Sequence, residues 1–315
     1  MKKQNKVLVV CGLVTAAVGC AELYARFELG LGDPPLSVAD AELDYYFAPN
    51  QCCNRFGNRI VYNNVSMRCD FDVRPGSGAK TIFVIGDSVL NGGVLTDHKN
   101  LATTILQEKL DPNRTSVQVC NISAGSWGPG NYAAYLRRHA DLISGQDILI
   151  LELNSHDLWE DIPEETGGRN VGVDVAFPAH KPFCALWDGF HRYAVPRLRQ
   201  KFGLSAVNTK VDVPRWGDDA DSEIAHYNLK KLDEIYAMHV RSRYMLIYRS
   251  RAESQSGQVS LGESIFRDYA AAHGIPVIEV ALNPDTDYRD LIHPNESGQR
   301  KIADAIEAAL KTHSN

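Results

Sequence analysis

Five short apolar runs constrain the fold of this chain more than any other feature. They are Thr81–Ile85, Val117–Cys120, Ile148–Leu153, Tyr244–Tyr248 and Pro276–Val280. Most are too continuously apolar for a sheet with one solvent-facing side, which indicates strands buried on both faces. Helical patterns fall between them, with Ala225, Leu229, Leu232 and Tyr236 recurring at i, i+4, i+7 and i+11. This alternation predicts an α/β fold with a parallel sheet, in which ligands bind beyond the carboxyl ends of the strands.

Length and charge narrow the possible functions. The 315 residues, 44% of them hydrophobic, suffice for one sizeable α/β domain with some additions. There are 33 Lys and Arg against 39 Asp and Glu, a net charge of -6, and no basic block follows the first few residues. Nucleic acid is therefore not expected as a partner, because binding its backbone needs concentrated positive charge. No metal motif, phosphate loop or dinucleotide fingerprint is present, so we expect neither a metal nor a cofactor.

The first 24 residues have the pattern of an export signal. Lys2, Lys3 and Lys6 precede an uncharged apolar run, Val7 to Val18, and small residues follow it. The segment could be cleaved near Ala21, retained as an anchor over residues 7–24, or lipidated at Cys20, although the residues before Cys20 fit lipidation poorly. A buried core helix is the alternative that the lysines argue against. We expect the chain to lie in the cell envelope on the exported, periplasmic side.

Three regions follow from the composition. Residues 1–24 are the signal peptide or membrane anchor, residues 25–78 a lead segment with a short hairpin, and residues 79–315 the main domain. Residues 159–221 interrupt the alternation and are typical of a functional insertion. Six aromatic residues could line a groove for a sugar or pack the insertion on the core: Trp127, Trp159, Trp187, Phe190, Tyr193 and Trp216.

The cysteines leave two interpretations open. In an exported protein, one or two disulfides could form among Cys52, Cys53, Cys69 and Cys184. A zinc site in this group is less favoured, since no C-x-x-C or paired-histidine spacing accompanies it. Cys120 ends an apolar run and is predicted to be a core thiol.

Ser88 follows the first predicted strand within Gly86-Asp87-Ser88. A serine hydroxyl needs a base within hydrogen-bond reach to act as a nucleophile, and that base is usually a histidine oriented by a carboxylate. Asp290 and His293 stand three apart on a loop before the last predicted helix, also at the carboxyl edge of the sheet. The alternative for Ser88 alone is a helix-capping serine.

These two motifs resemble those of the GDSL or SGNH hydrolase family over about residues 80–312. The lead segment is similar to that of a membrane-associated bacterial branch. Leu90 stands where the common α/β-hydrolase elbow has its second glycine, which argues against that fold. The resemblance implies a three-layer α/β/α sandwich, flavodoxin-like, with a parallel sheet of about five strands. It also implies that Ser88 is the nucleophile, His293 the general base and Asp290 its partner.

The resemblance further implies an oxyanion hole, and here the chain departs from the family pattern. The backbone N–H after the second strand falls on Ser126, where the family has glycine. After the third strand, His156 takes the position of the family's asparagine, while Asn154 lies two residues earlier. We favour His156 over Asn154 as the side-chain donor, because an imidazole N–H can stabilise an oxyanion as an amide does.

The resulting prediction is a serine esterase of the GDSL/SGNH type. It would remove acyl groups, with acetyl as the leading case, from an envelope or secreted polysaccharide or act on another ester. An O-acyltransferase using the same acyl-enzyme is the nearest alternative, and a lipase or thioesterase ranks lower. A non-catalytic, glycan-binding envelope protein is a further alternative, motivated by the altered third loop.

Overall fold

The computed structural model describes residues 3–76, 78–168, 170–202 and 219–312, without the side chains of residues 3–5 and 200. Nine strands are present in this part of the chain: β1 (Ser37–Asp40), β2 (Asp44–Phe47), β3 (Gln51–Arg55), β4 (Asn58–Tyr62), β5 (Lys80–Gly86), β6 (Val117–Ser123), β7 (Ile148–Asn154), β8 (Ser242–Tyr248) and β9 (Val277–Glu279). The predicted residue Trp216 and part of the predicted insertion lie outside the described residues.

The α-helices of the described residues are α1 (Lys3–Phe27), α2 (Ser88–Asn91), α3 (Ala102–Leu110), α4 (Pro129–Arg138), α5 (Pro163–Thr166), α6 (Ala185–Gly189), α7 (Val195–Lys201), α8 (Glu223–Tyr236), α9 (Arg251–Ser256), α10 (Leu261–Ala272) and α11 (Glu296–Thr312). A π-helical stretch, Phe190–Ala194, joins α6 to α7. Short 3-10 turns cover His98–Asn100, Ala140–Leu142 and Ser155–Trp159.

The central sheet is parallel, five-stranded and ordered β6-β5-β7-β8-β9. The predicted α/β sandwich with a parallel sheet of about five strands is therefore confirmed. Strand β6, the second of the five predicted from sequence, runs to Ser123, three residues beyond its predicted end at Cys120. Asn121 can lie inside the sheet because its amide donates to Leu90 O and Thr103 Oγ1, both at 3.0 Å.

Helices cover both faces of the sheet. Phe83 and Ile85 of β5 point into a core formed with α4, α8 and α10. Ile82 and Val84 point into the opposite core, formed with α2, α3 and α11. This alternation explains why the strands are apolar throughout, as expected for a sheet buried on both sides. The order of the strands reverses between β5 and β7, where open α/β sheets bind their ligands.

The lead segment forms two antiparallel hairpins, β1–β2 and β3–β4, where the sequence predicted one. The second turn contains Phe56 and Gly57 with φ of 52° and 78°. Two positive φ angles are typical of the tight hairpin turn that matches strand twist. Phe56 occupies a position that favours Asn, Asp or Gly, so residue type did not indicate this turn.

Helix α1 includes the predicted anchor. Its residues Lys6–Phe27 are long and apolar enough to cross a membrane, and an 18-residue window within them, with a mean hydropathy of 2.0, has no buried residue. Near the end of the helix, Ala25 is buried against Leu31 and Ala185. A signal sequence has the same properties.

All seven cysteines are free thiols, so the structure contradicts a disulfide among the four cysteines considered. Cys52 and Cys53 are consecutive in β3 and point to opposite faces of the strand. Cys69 lies against β6, where its sulfur accepts from Asn121 N at 3.3 Å. The Cys184 thiol instead donates to Glu22 at 3.3 Å.

Candidate active site

Ser88 is the first residue of α2, directly beyond the carboxyl end of β5. Asp87 caps this short helix by accepting a hydrogen bond from Val89 N at 2.7 Å. Gly86 before it leaves room for Glu152, because a Cβ there would lie 2.3 Å from Glu152 Oε2 and would displace that side chain. The strand-to-helix turn therefore places the Ser88 hydroxyl at the ligand-binding edge of the sheet.

The Asp290–His293 loop brings an imidazole to Ser88. His293 Nε2 lies 3.0 Å from Ser88 Oγ. The other ring nitrogen, Nδ1, lies 2.9 Å from Asp290 Oδ2 and 3.0 Å from Oδ1. Burial alone would raise the pKa of Asp290, but hydrogen bonds from the side chain and backbone of His293 bring that pKa well below its usual range. Asp290 is thus ionised at neutral pH and holds the Nδ1 proton, which leaves Nε2 free to accept.

Contacts to the rest of the fold fix this loop. Tyr248 of β8 donates a hydrogen bond to Ile292 O, and Arg251 N of α9 donates to Leu291 O at 2.9 Å. Gln299 of α11 is fully buried, donates to Val89 O at 2.9 Å and accepts from Ala102 N at 2.8 Å. The helix after His293 is therefore bonded directly to the helix that begins with Ser88.

The loop after β6 lies beside Ser88. A Cβ added at Gly125 would be 3.9 Å from Ser88 Cβ, and Ser126 has φ of 56°. Tyr45 of the lead segment holds this loop, because its hydroxyl donates to Gly125 O at 2.7 Å. Within the described part of the chain, the backbone N–H groups of Ser88 and Ser126 donate to no other protein group.

Asn154 and His156, the two side-chain donors considered from sequence, lie at the end of β7. The buried Asn154 amide donates to Asp87 Oδ2 at 3.1 Å, and its oxygen accepts from His156 N at 3.2 Å. His156 is partly exposed. Neither residue is among the described residues that line the cavity at Ser88. The structure thus brings Ser88, Asp290, His293 and Ser126 together. Asn154 and His156 lie next to Asp87 and do not line the cavity.

Three carboxylates lie behind the serine. Asp87, Glu152 and Asp157 are all buried, and Asp87 N donates to Glu152 Oε2 at 3.4 Å. Burial, and then the negative charge of Asp87, raise the pKa values of Glu152 and Asp157 well above their usual range. One ligand atom each from Asp87, His156 and Asp157 lies within 4.8 Å of the others, the only such group of three potential metal ligands in the described residues.

A cavity of about 420 Å³ opens at Ser88 and His293. Its walls come from the lead segment, the loops after β5 and β6, and the insertion. They include Pro34, Pro35, Tyr45, Phe47, Arg55, Tyr62, Val94, Leu95, Phe177, Pro178, Arg192, Tyr193 and Arg289. Most of these side chains are apolar or aromatic, as in pockets for small organic ligands.

Five of the six aromatic residues considered from sequence lie within the described residues, and they divide into three groups. Trp127 and Trp159 are buried and pack in the core, as one of the two interpretations expected. Tyr193 lines the cavity, while Trp187 and Phe190 are exposed.

Sequence reasoning missed several residues of the site. Glu152 had a visible signal, since it is the one charged residue in the apolar run Ile148–Leu153. Tyr45 and Arg55 had none, because the lead segment has little periodicity and its contacts with the site are long-range.

Comparisons with known proteins give distant likenesses. No family model and no curated protein matches the chain. A member of the lipolytic G-D-S-L family from Veillonella parvula is 14% identical, covers 75% of this chain and 100% of its own, and has a TM-score of 0.43. A carbohydrate acetylesterase family member from Sinorhizobium meliloti is 12% identical over 74% of this chain and 98% of its own, with a TM-score of 0.39. The acetylxylan esterase Axe2 from Geobacillus stearothermophilus, as a catalytic mutant, is 14% identical over 73% of this chain and 94% of its own, also with a TM-score of 0.39. At these values, the interpretation of the site rests on the residues of this chain.

Proposed function

We propose that the chain is a serine ester hydrolase of the GDSL/SGNH type, with Ser88 as nucleophile, His293 as base and Asp290 as its partner. One observation carries the proposal: His293 contacts Ser88 Oγ through Nε2 at 3.0 Å and Asp290 through Nδ1 at 2.9 Å. These distances are those of an activated nucleophile and an oriented base.

The reaction follows from this geometry. Nε2 of His293 takes the Oγ proton while Ser88 Oγ forms a bond to the acyl carbon of the ester. The bond from that carbon to the alcohol oxygen breaks, and the imidazolium returns the proton to that oxygen. Water then attacks the acyl-enzyme with Nε2 as base. The acid leaves, and Ser88 Oγ regains a proton.

Donors beside Ser88 would hold the oxyanion. The backbone N–H groups of Ser88 and Ser126 support this role, because no other described protein group uses them. We propose His156 as the further donor rather than Asn154, whose amide already bonds Asp87 at 3.1 Å. His156 would need to turn from the neighbouring carboxylates toward the substrate.

We infer that the substrate is an acylated carbohydrate or similar ester of the cell envelope, with acetyl as the first acyl group to test. The apolar walls favour an acyl group in the cavity, while α1 would hold the domain at the membrane on the exported side. The cavity volume of about 420 Å³ lies within the range of about 300–1,000 Å³ that is typical of pockets for small organic ligands. Acyl groups longer than acetyl therefore also fit.

The test is covalent labelling. A fluorophosphonate probe should label the wild-type protein on Ser88, as located by mass spectrometry of the modified peptide. Ser88→Ala should abolish both labelling and hydrolysis of an acetyl ester. Ser256→Ala is the matched control, because Ser256 is exposed on α9. A wild-type protein that is neither labelled on Ser88 nor able to hydrolyse any acyl ester would refute the proposal.

A further inference from the structure

The end of α1 is bonded to the helical segment that begins at Ala185. Glu22 accepts hydrogen bonds from Ala185 N at 2.8 Å and Leu186 N at 2.9 Å. Arg26 donates to Phe183 O at 2.6 Å. The C-terminal end of the apolar helix α1 is therefore fixed to this segment of the insertion.

Residues 183–202 carry six large apolar side chains that are exposed in the described part of the chain. Phe183 is 101% exposed, Trp187 62% and Phe202 66%. Together with Leu186, Phe190 and Leu198, these residues form what we call the aromatic face. Exposed apolar side chains grouped in this way mark a protein or membrane contact.

The charge of the same segment is positive. Arg197, Arg199 and Lys201 are exposed, and no Asp or Glu occurs from residue 189 to 202. The acid of α6, Asp188, is bonded to Arg55 at 3.0 Å and Arg192 at 3.3 Å. Exposed Trp, Phe and Leu side chains beside Arg and Lys are typical of helices that lie in the membrane interface.

The level of the aromatic face agrees with that of a bilayer surface. The candidate span Lys6–Phe27 has 22 residues. A helix of that length rises about 33 Å, against a hydrocarbon core about 30 Å thick. Tyr24 and Phe27, exposed at the end of α1, would then reach the interface, where aromatic residues are enriched. The bonds from Glu22 and Arg26 bring the aromatic face to this same end of α1.

We propose that residues 183–202 form a membrane-surface segment. Its aromatic face enters the interface of the bilayer that α1 spans, and its basic residues contact anionic headgroups. Arg192 and Tyr193 of the same segment are turned inward and line the cavity at Ser88. The cavity therefore opens beside the bilayer. Given the proposed function, it takes esters of membrane-bound amphiphiles.

Fluorescence of the full chain in vesicles tests the surface without requiring activity. Vesicles of phosphatidylcholine and phosphatidylglycerol would carry bromine on the upper part of the acyl chains. Subtracting the emission of Trp187→Phe from that of the wild type isolates Trp187 from the other three tryptophans. We expect the bromolipid to quench strongly the difference in fluorescence between the wild type and the variant, which is the emission of Trp187. A difference signal that bromolipid leaves unquenched, including one shielded by a second copy or another protein, would overturn the proposal.

Comparing vesicles of different charge distinguishes contact between the basic residues and anionic headgroups from the closeness to the bilayer that α1 alone would give. We expect the quenching of Trp187 to be stronger with anionic than with purely zwitterionic vesicles, and salt to reduce the difference. Arg199→Glu with Lys201→Glu should remove this difference. Lys230→Glu with Arg241→Glu changes the same number of exposed charges outside the segment and should retain it. Equal behaviour of the two double variants would contradict the role of the basic residues.

Kinetics test the consequence for the substrate. Trp187→Ser should leave hydrolysis of a water-soluble ester unchanged and lower hydrolysis of an ester embedded in vesicles by about tenfold. Equal losses on both substrates would refute the link between the segment and substrate access. A wild-type protein inactive on both would refute the proposed esterase, while the quenching result would still decide the surface.

Discussion

Asp290→Asn should lower kcat more than Asp290→Ala does, although it is the smaller change in shape. Oδ1 of Asp290 accepts the backbone N–H groups of Ile292 at 3.0 Å and His293 at 2.8 Å. In the Asn variant this position must hold the amide oxygen, because an NH₂ group cannot accept these bonds. The NH₂ group then faces His293 Nδ1 from the Oδ2 position, 2.9 Å away. Nδ1 becomes the acceptor, so the proton moves to Nε2, which can no longer accept from Ser88.

The magnitude follows from this change of tautomer. In a Ser-His-Asp site, replacing the carboxylate by an amide lowers kcat by about 10⁴-fold, which is about 5.4 kcal/mol of activation free energy. The Asp290 side chain is 46% exposed, so water can replace it in the Ala variant. A water molecule can both donate and accept, so His293 can then carry its proton on either ring nitrogen. We expect the loss for Asp290→Ala to stay below about 10⁴-fold, because only orientation and charge are removed and His293 can still place its proton on Nδ1.

The assay is steady-state hydrolysis of a chromogenic acetyl ester, with kcat and KM measured between pH 6 and 10. Asp285→Asn is the control, since Asp285 is exposed on the same stretch of chain and its carboxylate has no described bond to His293. KM should change little in all variants, because the substrate does not contact Asp290. If Asp290→Asn is as active as Asp290→Ala or more so, the proposed orientation of His293 by Asp290 is wrong.

Three further predictions concern the neighbours of this triad. Tyr45→Phe removes the 2.7 Å bond to Gly125 O, about 1 kcal/mol, and should lower kcat about fivefold with little change in KM, while Tyr46→Phe should not. His156→Ala should lower kcat, whereas Asn154→Ala should mainly lower the melting temperature, because the buried Asp87 carboxylate loses a donor; the reverse order would exclude His156 as oxyanion donor. Glu152→Gln should stabilise the protein more at pH 8 than at pH 5 in urea unfolding. The folded state keeps the Glu152 proton that the unfolded state loses above about 4.5, so wild-type stability falls as pH rises above that value; a gain that does not grow with pH would contradict a protonated Glu152.

The residues that sequence reasoning brought together share one property: each lies next to an element with a regular pattern. Ser88 follows β5, and Asp290 and His293 precede α11, so the rule for parallel sheets placed them at one edge. Tyr45 and Arg55 follow no such rule, because their approach to the site depends on how two irregular hairpins pack. The preference for His156 over Asn154 rested on counting positions in a loop. That count could not show that the Asn154 amide turns toward Asp87.

Arg55 shows why the cavity wall and the end of α1 belong to one structural unit. Its side chain is 1% exposed and bonds Asp188 at 3.0 Å, Tyr193 Oη at 3.0 Å and Gly30 O at 3.3 Å. A buried guanidinium is tolerated only while such partners remain, since removing one leaves an uncompensated charge. Asp188 and Tyr193 belong to the membrane-surface segment, while Gly30 follows α1 closely. A movement of that segment relative to α1 would break these bonds, so the fold fixes the direction in which the cavity opens relative to the apolar helix.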